Sequence, residues 1–371
     1  MMRPYVVVAA DFIRTGGMDR ANFALARHLA RRGHETRLVS FSVAPELAAE
    51  ANVRVHLARR PWGKHTLGGP FLGSLAVAAA LRAGPGAQVI ANGGNCFMPG
   101  AVNWVHYVHA ADADIRRLHG ARKLIARATE RIALAKARLV LANSERTRRD
   151  LIAYLGVDDA KIRVVYLGVD ASDFRPRTDV ERAGIRATLG WGEERRKVVF
   201  VGALADERKG FGVLYAAWQR LCRSPSWDAD LVVIGAGRQL GAWRDRAQAD
   251  GLGGRITFLG FRTDVPLVVG ACDLLVAPSV YEPYGLAVHE ALCSGVPSIT
   301  AAQSGVAEVY PPALADWLLP APEDDVDLAN RIQRWRASGR TTSVELLQLS
   351  DRLRARDWDV VARDIVALCE A

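Results

Sequence analysis

No apolar run in the 371-residue sequence approaches the roughly 18 residues that a membrane-spanning helix requires. Cysteine is scarce and badly placed for chemistry. Cys96, Cys222, Cys272, Cys293 and Cys369 are odd in number, scattered and never spaced as CxxC. A disulfide framework and a zinc site are thereby excluded, and most of the five read as small buried hydrophobes. There is no short internal repeat and no low-complexity tract. The start, MMRPYVVVAADF, enters a strand-like run without the cleavage pattern of a secretory leader, so a cytoplasmic location is expected. The first loop, ADFIRTGG, lacks a G-x-G-x-x-G directly after its strand, which argues against a NAD-dependent dehydrogenase.

What is present is ordinary in proportion. Hydrophobic residues make up 50% and charged residues 24%, enough apolar material for a sizeable core. At roughly 150 residues per domain, the length suggests two domains. The formal charge of +9 is uneven: residues 1–170 hold 25 Lys+Arg against 13 Asp+Glu, and the remainder holds 24 against 27. Within the first half, residues 115–149 carry eleven cations and only two acids, Glu130 and Glu145. Such a block suits phosphates, an acidic glycan or an anionic membrane surface. The alternative is a solvated Arg-rich helix face.

Apolar strands and helical segments alternate along the chain. YVVVAA reads as a parallel strand buried on both faces, DFIRTGG as a loop, and MDRANFALARHLARRGH as a helix ending at Gly33. ETRLVSF, VRVHLA, QVIANGG, VNWVHYVHA, LVLANS and IRVVYLG continue the strand series, with a basic helix expected near 112–137. GVDASDFRPRTDVE is polar, aperiodic and contains proline, and reads as a linker. The pattern then restarts with KVVFVGA, LVVIGAG, RITFLG, LLVAPS and PSITA, separated by helices. Two βα halves predict two doubly wound domains facing a cleft, with ligands at the carboxyl ends of the strands.

Five features of the second half fall at such strand ends. After VFVGA, Arg208-Lys209-Gly210 opens a helix, and cations beside free N–H groups suit a diphosphate. Gly235 and Gly237 form a GxG turn, and Phe261-Arg262 follows a strand where an aromatic and a cation could pack on a nucleobase. In VAPSVYEPYGLAVHEALCSGVP, Glu282 precedes Tyr284-Gly285-Leu286 at a helix mouth, and Glu290 lies inside that helix. Carboxylates in this E-x7-E spacing suit the hydroxyls of sugar and ribose. AQSGVAEV places Gly305 and Glu308 after the last strand. No acidic metal motif is prominent.

The series strand-xxRKG, GxG, FLGFxxD, PSxxEPYGLxxxEAxxxGxP and SGxxE resembles the retaining glycosyltransferases of family 4, which have the GT-B fold. The first half agrees, with a Gly16-Gly17 loop opening a long helix that ends in RRGHE, with ANSE at 142–145 and with YLGVD at 166–170. Departures are Ala203 where many members have arginine, Leu167 for an asparagine, and Ser304-Gly305 for a glycine pair. Arg208 beside Lys209 is expected to take the missing arginine's role.

The resemblance implies a metal-independent transfer of sugar from a UDP- or GDP-sugar to a glycan or lipid-linked acceptor, with no cofactor and no nucleic-acid partner. Residues 1–172 would form the acceptor-binding Rossmann-like domain, 173–355 the nucleotide-sugar-binding one, and 356–371 a helix returning to the first. By the same resemblance, Gly16, Gly17, Arg208, Lys209, Phe261, Arg262, Tyr284, Gly285, Leu286 and Glu290 would bind the donor. Glu282 and His109 would be catalytic, with Glu282 on the sugar hydroxyls, Glu290 on the ribose, and His109 beside the sugar. His106, three residues earlier, competes for the histidine assignment. Asp19 reads either as a dipole-compensating acid or as a group that orients the acceptor hydroxyl. The basic first domain suggests peripheral contact with an anionic membrane. A sugar-nucleotide epimerase on the same architecture is the alternative activity.

Overall fold

Runs of four to six apolar, largely β-branched residues build two parallel sheets, each belonging to its own compact unit. The computed structural model describes residues 2–60, 65–112, 121–192, 194–205, 207–339 and 343–371, with backbone alone at 65–67, 70 and 121–123. Unit 1 comprises Met1–Gly168 together with Trp358–Ala371, and unit 2 comprises Val169–Asp357. The sequence reading put these breaks at 172/173 and 355/356. The chain crosses at 168/169 and 357/358 instead, because Val169 and Asp357 form a parallel bridge and the Val169 N–H donates to the Arg356 carbonyl.

The strands of unit 1 are β1 (Tyr5–Val8), β2 (Asp11–Phe12), β3 (Thr36–Ser40), β4 (Ser42–Val43), β5 (Val53–Leu57), β6 (Gln88–Ala91), β7 (Val102–Val105), β8 (Leu139–Ala142) and β9 (Ile162–Val164). Seven of them form one parallel sheet in the order β5-β3-β1-β6-β7-β8-β9, while β2 and β4 pair separately. Every residue of β1, β6, β7 and β8 is buried, as a strand covered by helices on both faces must be. The order reverses between β1 and β6, where a doubly wound sheet opens a crevice for ligands.

The last helix, Trp358–Glu370, returns to unit 1 as expected, packing on helix Gly17–Arg31. His28 Nδ1 lies 2.9 Å from Asp359, Tyr5 OH donates to Glu370 at 3.3 Å, and Arg138 donates to the Cys369 carbonyl.

Unit 2 contributes β10 (Arg196–Val201), β11 (Ala229–Ile234), β12 (Ile256–Gly260), β13 (Leu274–Ala277), β14 (Ser298–Ala301) and β15 (Leu318–Leu319). Their order is β12-β11-β10-β13-β14-β15, all parallel, with the reversal between β10 and β13. Alternate side chains of β10 enter different layers. Val198 and Phe200 join Phe211, Trp218 and Trp335 on one face, and Val199 joins Val232, Leu275 and Leu292 on the other.

The segment read as a linker is shorter than expected. Thr178 and Glu181 form a reciprocal capping box, and helix Asp179–Thr188 starts there. This helix is clamped to the foot of β13. The fully buried Asp273 carboxylate accepts from Arg182 and Arg186 at 2.7 Å each, and from the Lys197 backbone N–H. Cys96, Cys272, Cys293 and Cys369 are buried free thiols, and Cys222 is half-buried.

Candidate active site

In unit 2 the five sequence features converge at the carboxyl ends of adjacent strands. The loops after β10, β11 and β12 are laced by backbone hydrogen bonds. Gly202 N–H donates to Ile234, Gly235 N–H to Gly260, and Leu204 N–H to Ala236, at 2.9–3.1 Å. Gly235, the first glycine of the GxG turn, has φ +152°, and a Cβ there would stand 1.8 Å from the Gly202 carbonyl oxygen. Only glycine allows these two backbones to meet.

The RKG turn is fastened to the loop after β13, across the point of strand reversal. Val280 N–H donates to the Arg208 carbonyl at 2.9 Å, and the Arg208 guanidinium donates to the Tyr281 carbonyl at 3.2 Å. Gly210, at φ +73°, closes the turn; a Cβ would lie 2.0 Å from the Pro278 oxygen. This packing brings Lys209 Nζ to 2.6 Å from Glu282 Oε2, with both side chains largely buried. Ser279 Oγ also donates to that oxygen, at 3.4 Å.

The E-x7-E segment is held from its other side by the loop after β14. Gly305 N–H donates to the Glu282 carbonyl at 3.1 Å and Val306 N–H to the Tyr284 carbonyl at 2.6 Å. Gly285 is the N-cap of helix Leu286–Cys293, and Tyr284 OH bonds His289 Nδ1 at 2.7 Å. Glu290 is buried inside this helix, at 7% exposure. The helix mouth presents backbone donors beside a cation, an arrangement complementary to an anion. At the end of β12, Phe261 is 64% exposed, and Arg262 holds Asp264 bidentately at 2.7 and 2.5 Å. That pairing keeps the Asp264 carboxyl below its usual range.

In unit 1, Gly16 caps helix Gly17–Arg31 at φ +80°, beside the β1/β6 reversal. Asp19 lies in its first turn, and its Oδ1 is buried without a hydrogen-bond partner among the described residues. Burial pushes the Asp19 carboxyl up to about 6, the nearby Asp11 adds to this, and Arg60 opposes it. Arg60 grips Asp11 with two hydrogen bonds, at 2.9 and 2.7 Å.

The two histidines occupy different environments. His106 is half-buried against Trp104, and desolvation drives its imidazole down to about 3, so it is neutral. His109 is 46% exposed and stands 3.4 Å from Glu130, whose side chain is 1% exposed. Sequence reasoning missed both the Asp11–Arg60 pair and the placement of Glu130. The available signal for Glu130 was its isolation as one of two acids among eleven cations.

The basic segment divides. Arg138 bonds Gln88 and the final helix, Arg146 pairs with Asp150, and Arg148 pairs with Asp159 and Glu145. Helix Ala121–Lys136 instead exposes Arg127, Arg131 and Lys136 alongside Leu124, Ile125 and Ile132. The beginning of the expected helix, 113–120, falls outside the described residues.

Two parallel doubly wound units, with the final helix returning to the first, define a GT-B fold. The same architecture is found in WaaG, a glycosyltransferase involved in lipopolysaccharide biosynthesis (TM-score 0.80, 18% identity, 98% of this chain and 99% of that one). It is also found in sucrose-phosphate synthase from Thermosynechococcus elongatus (0.81, 21%, 100% and 98%) and in Anabaena HepE in complex with UDP-glucose (0.79, 20%, 100% of both). Residues 15–173 match the model of Glycosyltransferase Family 4, and residues 195–337 match Glycosyl transferases group 1. Together the two models cover most of the chain, which carries a Glycosyltransferase Family 4 domain followed by a Glycosyl transferases group 1 domain. Among curated relatives, the D-inositol 3-phosphate glycosyltransferase of Mycobacterium tuberculosis is 29% identical over 330 residues, which is 78% of this chain. The match spans 65% of that relative's length.

Proposed function

We propose that the chain is a retaining, metal-independent glycosyltransferase that moves a sugar from a UDP- or GDP-sugar to a glycan or lipid-linked acceptor. The observation that carries this reading is the Lys209–Glu282 pair at the β10/β13 reversal, followed in the chain by the Gly285-capped N-terminus of helix Leu286–Cys293. The donor diphosphate takes Lys209 and Arg208 as its counter-charges. Negative charge grows on it as the glycosidic bond breaks, so fixed cations and amides lower the barrier by electrostatics. Glu282 then engages hydroxyls of the sugar, and Glu290 those of the ribose. Phe261 offers an exposed ring to the base. In unit 1, the residues that the family resemblance assigns to the sugar nucleotide are Gly16, Gly17 and His109. The names of the relatives support this reading: one is a glycosyltransferase and another was solved with UDP-glucose.

Helix Ala121–Lys136 mixes exposed cations with exposed aliphatic side chains, which supports peripheral docking on an anionic bilayer, where lipid-linked acceptors reside. The test of the activity is incubation with a panel of UDP- and GDP-sugars, with and without EDTA. The anomeric configuration of the product is read by proton NMR. Transfer with retention, undiminished by EDTA, is expected. Epimerised sugar nucleotide formed without an acceptor would favour the epimerase instead.

A further inference from the structure

We propose that Glu130 is the positioning residue of His109, accepting the Nδ1 proton and leaving Nε2 as the lone pair that faces substrate. The inference rests on the reading of His109 as the sugar-side histidine. An ionised carboxylate can only accept hydrogen bonds, and one at 1% exposure is costly without a donor. Glu130 Oε1 finds His109 Nδ1 at 3.4 Å, and its Oε2 has no hydrogen-bond partner among the described residues. A single long contact contributes little to stability, so the burial of this charge is better accounted for by what it does to the imidazole. A histidine that gives one N–H to a carboxylate is fixed in both tautomer and ring orientation.

The fold delivers Glu130 to this place deliberately. Its helix is pressed onto the turn after β6, where a Cβ on Gly94 would stand 2.9 Å from Thr129 Oγ1 and 3.1 Å from the Glu130 backbone nitrogen. Glycine at 94 is what lets helix and turn approach. The Tyr107 ring stands edge-on to the imidazole at 4.9 Å, and Tyr107 OH donates to Asp112. With Nδ1–H held by Glu130, Nε2 accepts from a hydroxyl, so the partner implied is a hydroxyl-bearing sugar rather than an anionic group.

The experiment is nitrogen-15 NMR of the imidazoles in the full chain, with His109 assigned by its loss in His109→Asn. The Nδ1–H tautomer is expected in the native protein. Glu130→Met, with its fold checked by thermal melting, should shift His109 towards Nε2–H. It should lower kcat by about 10–100-fold while the donor KM stays within about threefold. Glu130→Gln, which keeps a carbonyl acceptor, should recover most of both. A native Nε2–H tautomer, or a Glu130→Met protein with native tautomer and kcat, overturns the proposal. The tautomer is read in the resting protein, so it is independent of turnover. A chain that transfers no sugar from any donor defeats the functional reading instead.

Discussion

Lys209 Nζ lies 2.6 Å from Glu282 Oε2, joining residues 73 apart in sequence across the point where the strand order of unit 2 reverses. Each charge compensates the other. On the proposed function, a diphosphate arriving beside this pair would compete for Lys209 and release Glu282 to the sugar hydroxyls. Lys209→Met should therefore weaken UDP or GDP binding by at least about tenfold, the worth of a hydrogen bond to a charged group. The melting temperature should fall somewhat, because Glu282 loses its counter-charge. Native affinity in this variant, by calorimetry, would remove Lys209 from the diphosphate site.

The same pair separates the two glutamates. Glu282→Ala frees Lys209, so affinity for the bare nucleotide should stay the same or rise, while turnover with the full donor falls. Glu290→Gln should weaken bare nucleotide and donor alike, by about tenfold, because ribose is common to both. Equal weakening of nucleotide binding by both substitutions would show that the division of labour is wrong.

Much of this site was readable because parallel strands covered on both faces are unbroken apolar runs. KVVFVGA, LVVIGAG and LLVAPS therefore announced both strands and the loops that follow them. Gly210, Tyr284-Gly285 and Glu290 stood out by spacing alone. The Lys209–Glu282 contact did not, because it depends on which strands are neighbours, and strand order is not written in local periodicity. The capping box at Thr178–Glu181 was legible as T-x-x-E but was overshadowed by the surrounding polar, proline-containing run. Glu130 and Asp273 are acids whose partners come from other elements, so in sequence they look like ordinary charges.

Asp19 predicts a pH dependence. Its carboxyl is raised to about 6 in the folded chain against about 3.8 unfolded, mainly by burial. The folded state therefore binds more protons across that interval, and stability falls as pH rises from about 4 to 6. Asp19→Asn should flatten this part of the profile in thermal melts and raise stability at neutral pH. An unchanged slope between pH 4 and 6 would show that the group does not titrate there.

Asp273 predicts a loss of stability without a direct effect on chemistry. Its carboxylate is fully buried, and Arg186, itself 7% exposed, depends on it. Asp273→Ala leaves that guanidinium buried and uncompensated, and should cost about 3–5 kcal/mol in denaturant titration. A cost under about 1 kcal/mol would mean that water or another acid replaces the carboxylate.

Helix Ala121–Lys136 makes a prediction about membranes. Arg127, Arg131 and Lys136 are exposed beside Leu124, Ile125 and Ile132, whereas Arg138, Arg146 and Arg148 have partners within unit 1. Each exposed cation near an anionic surface is worth about 1 kcal/mol, and the attraction is screened within ~10 Å at 0.1 M salt. Sedimentation with anionic vesicles should therefore show binding that weakens steeply with salt. Arg127→Glu with Arg131→Glu should abolish it, whereas the same double change at Arg146 and Arg148 should have a smaller effect. Replacing Leu124 and Ile125 by serine should reduce the binding that survives at high salt, because that remainder comes from apolar insertion rather than charge. If both arginine pairs matter equally, the attraction belongs to the net charge of unit 1 and not to this helix. If the protein ignores anionic vesicles even at low salt, the exposed face has another partner and the acceptor is not met at a bilayer through it.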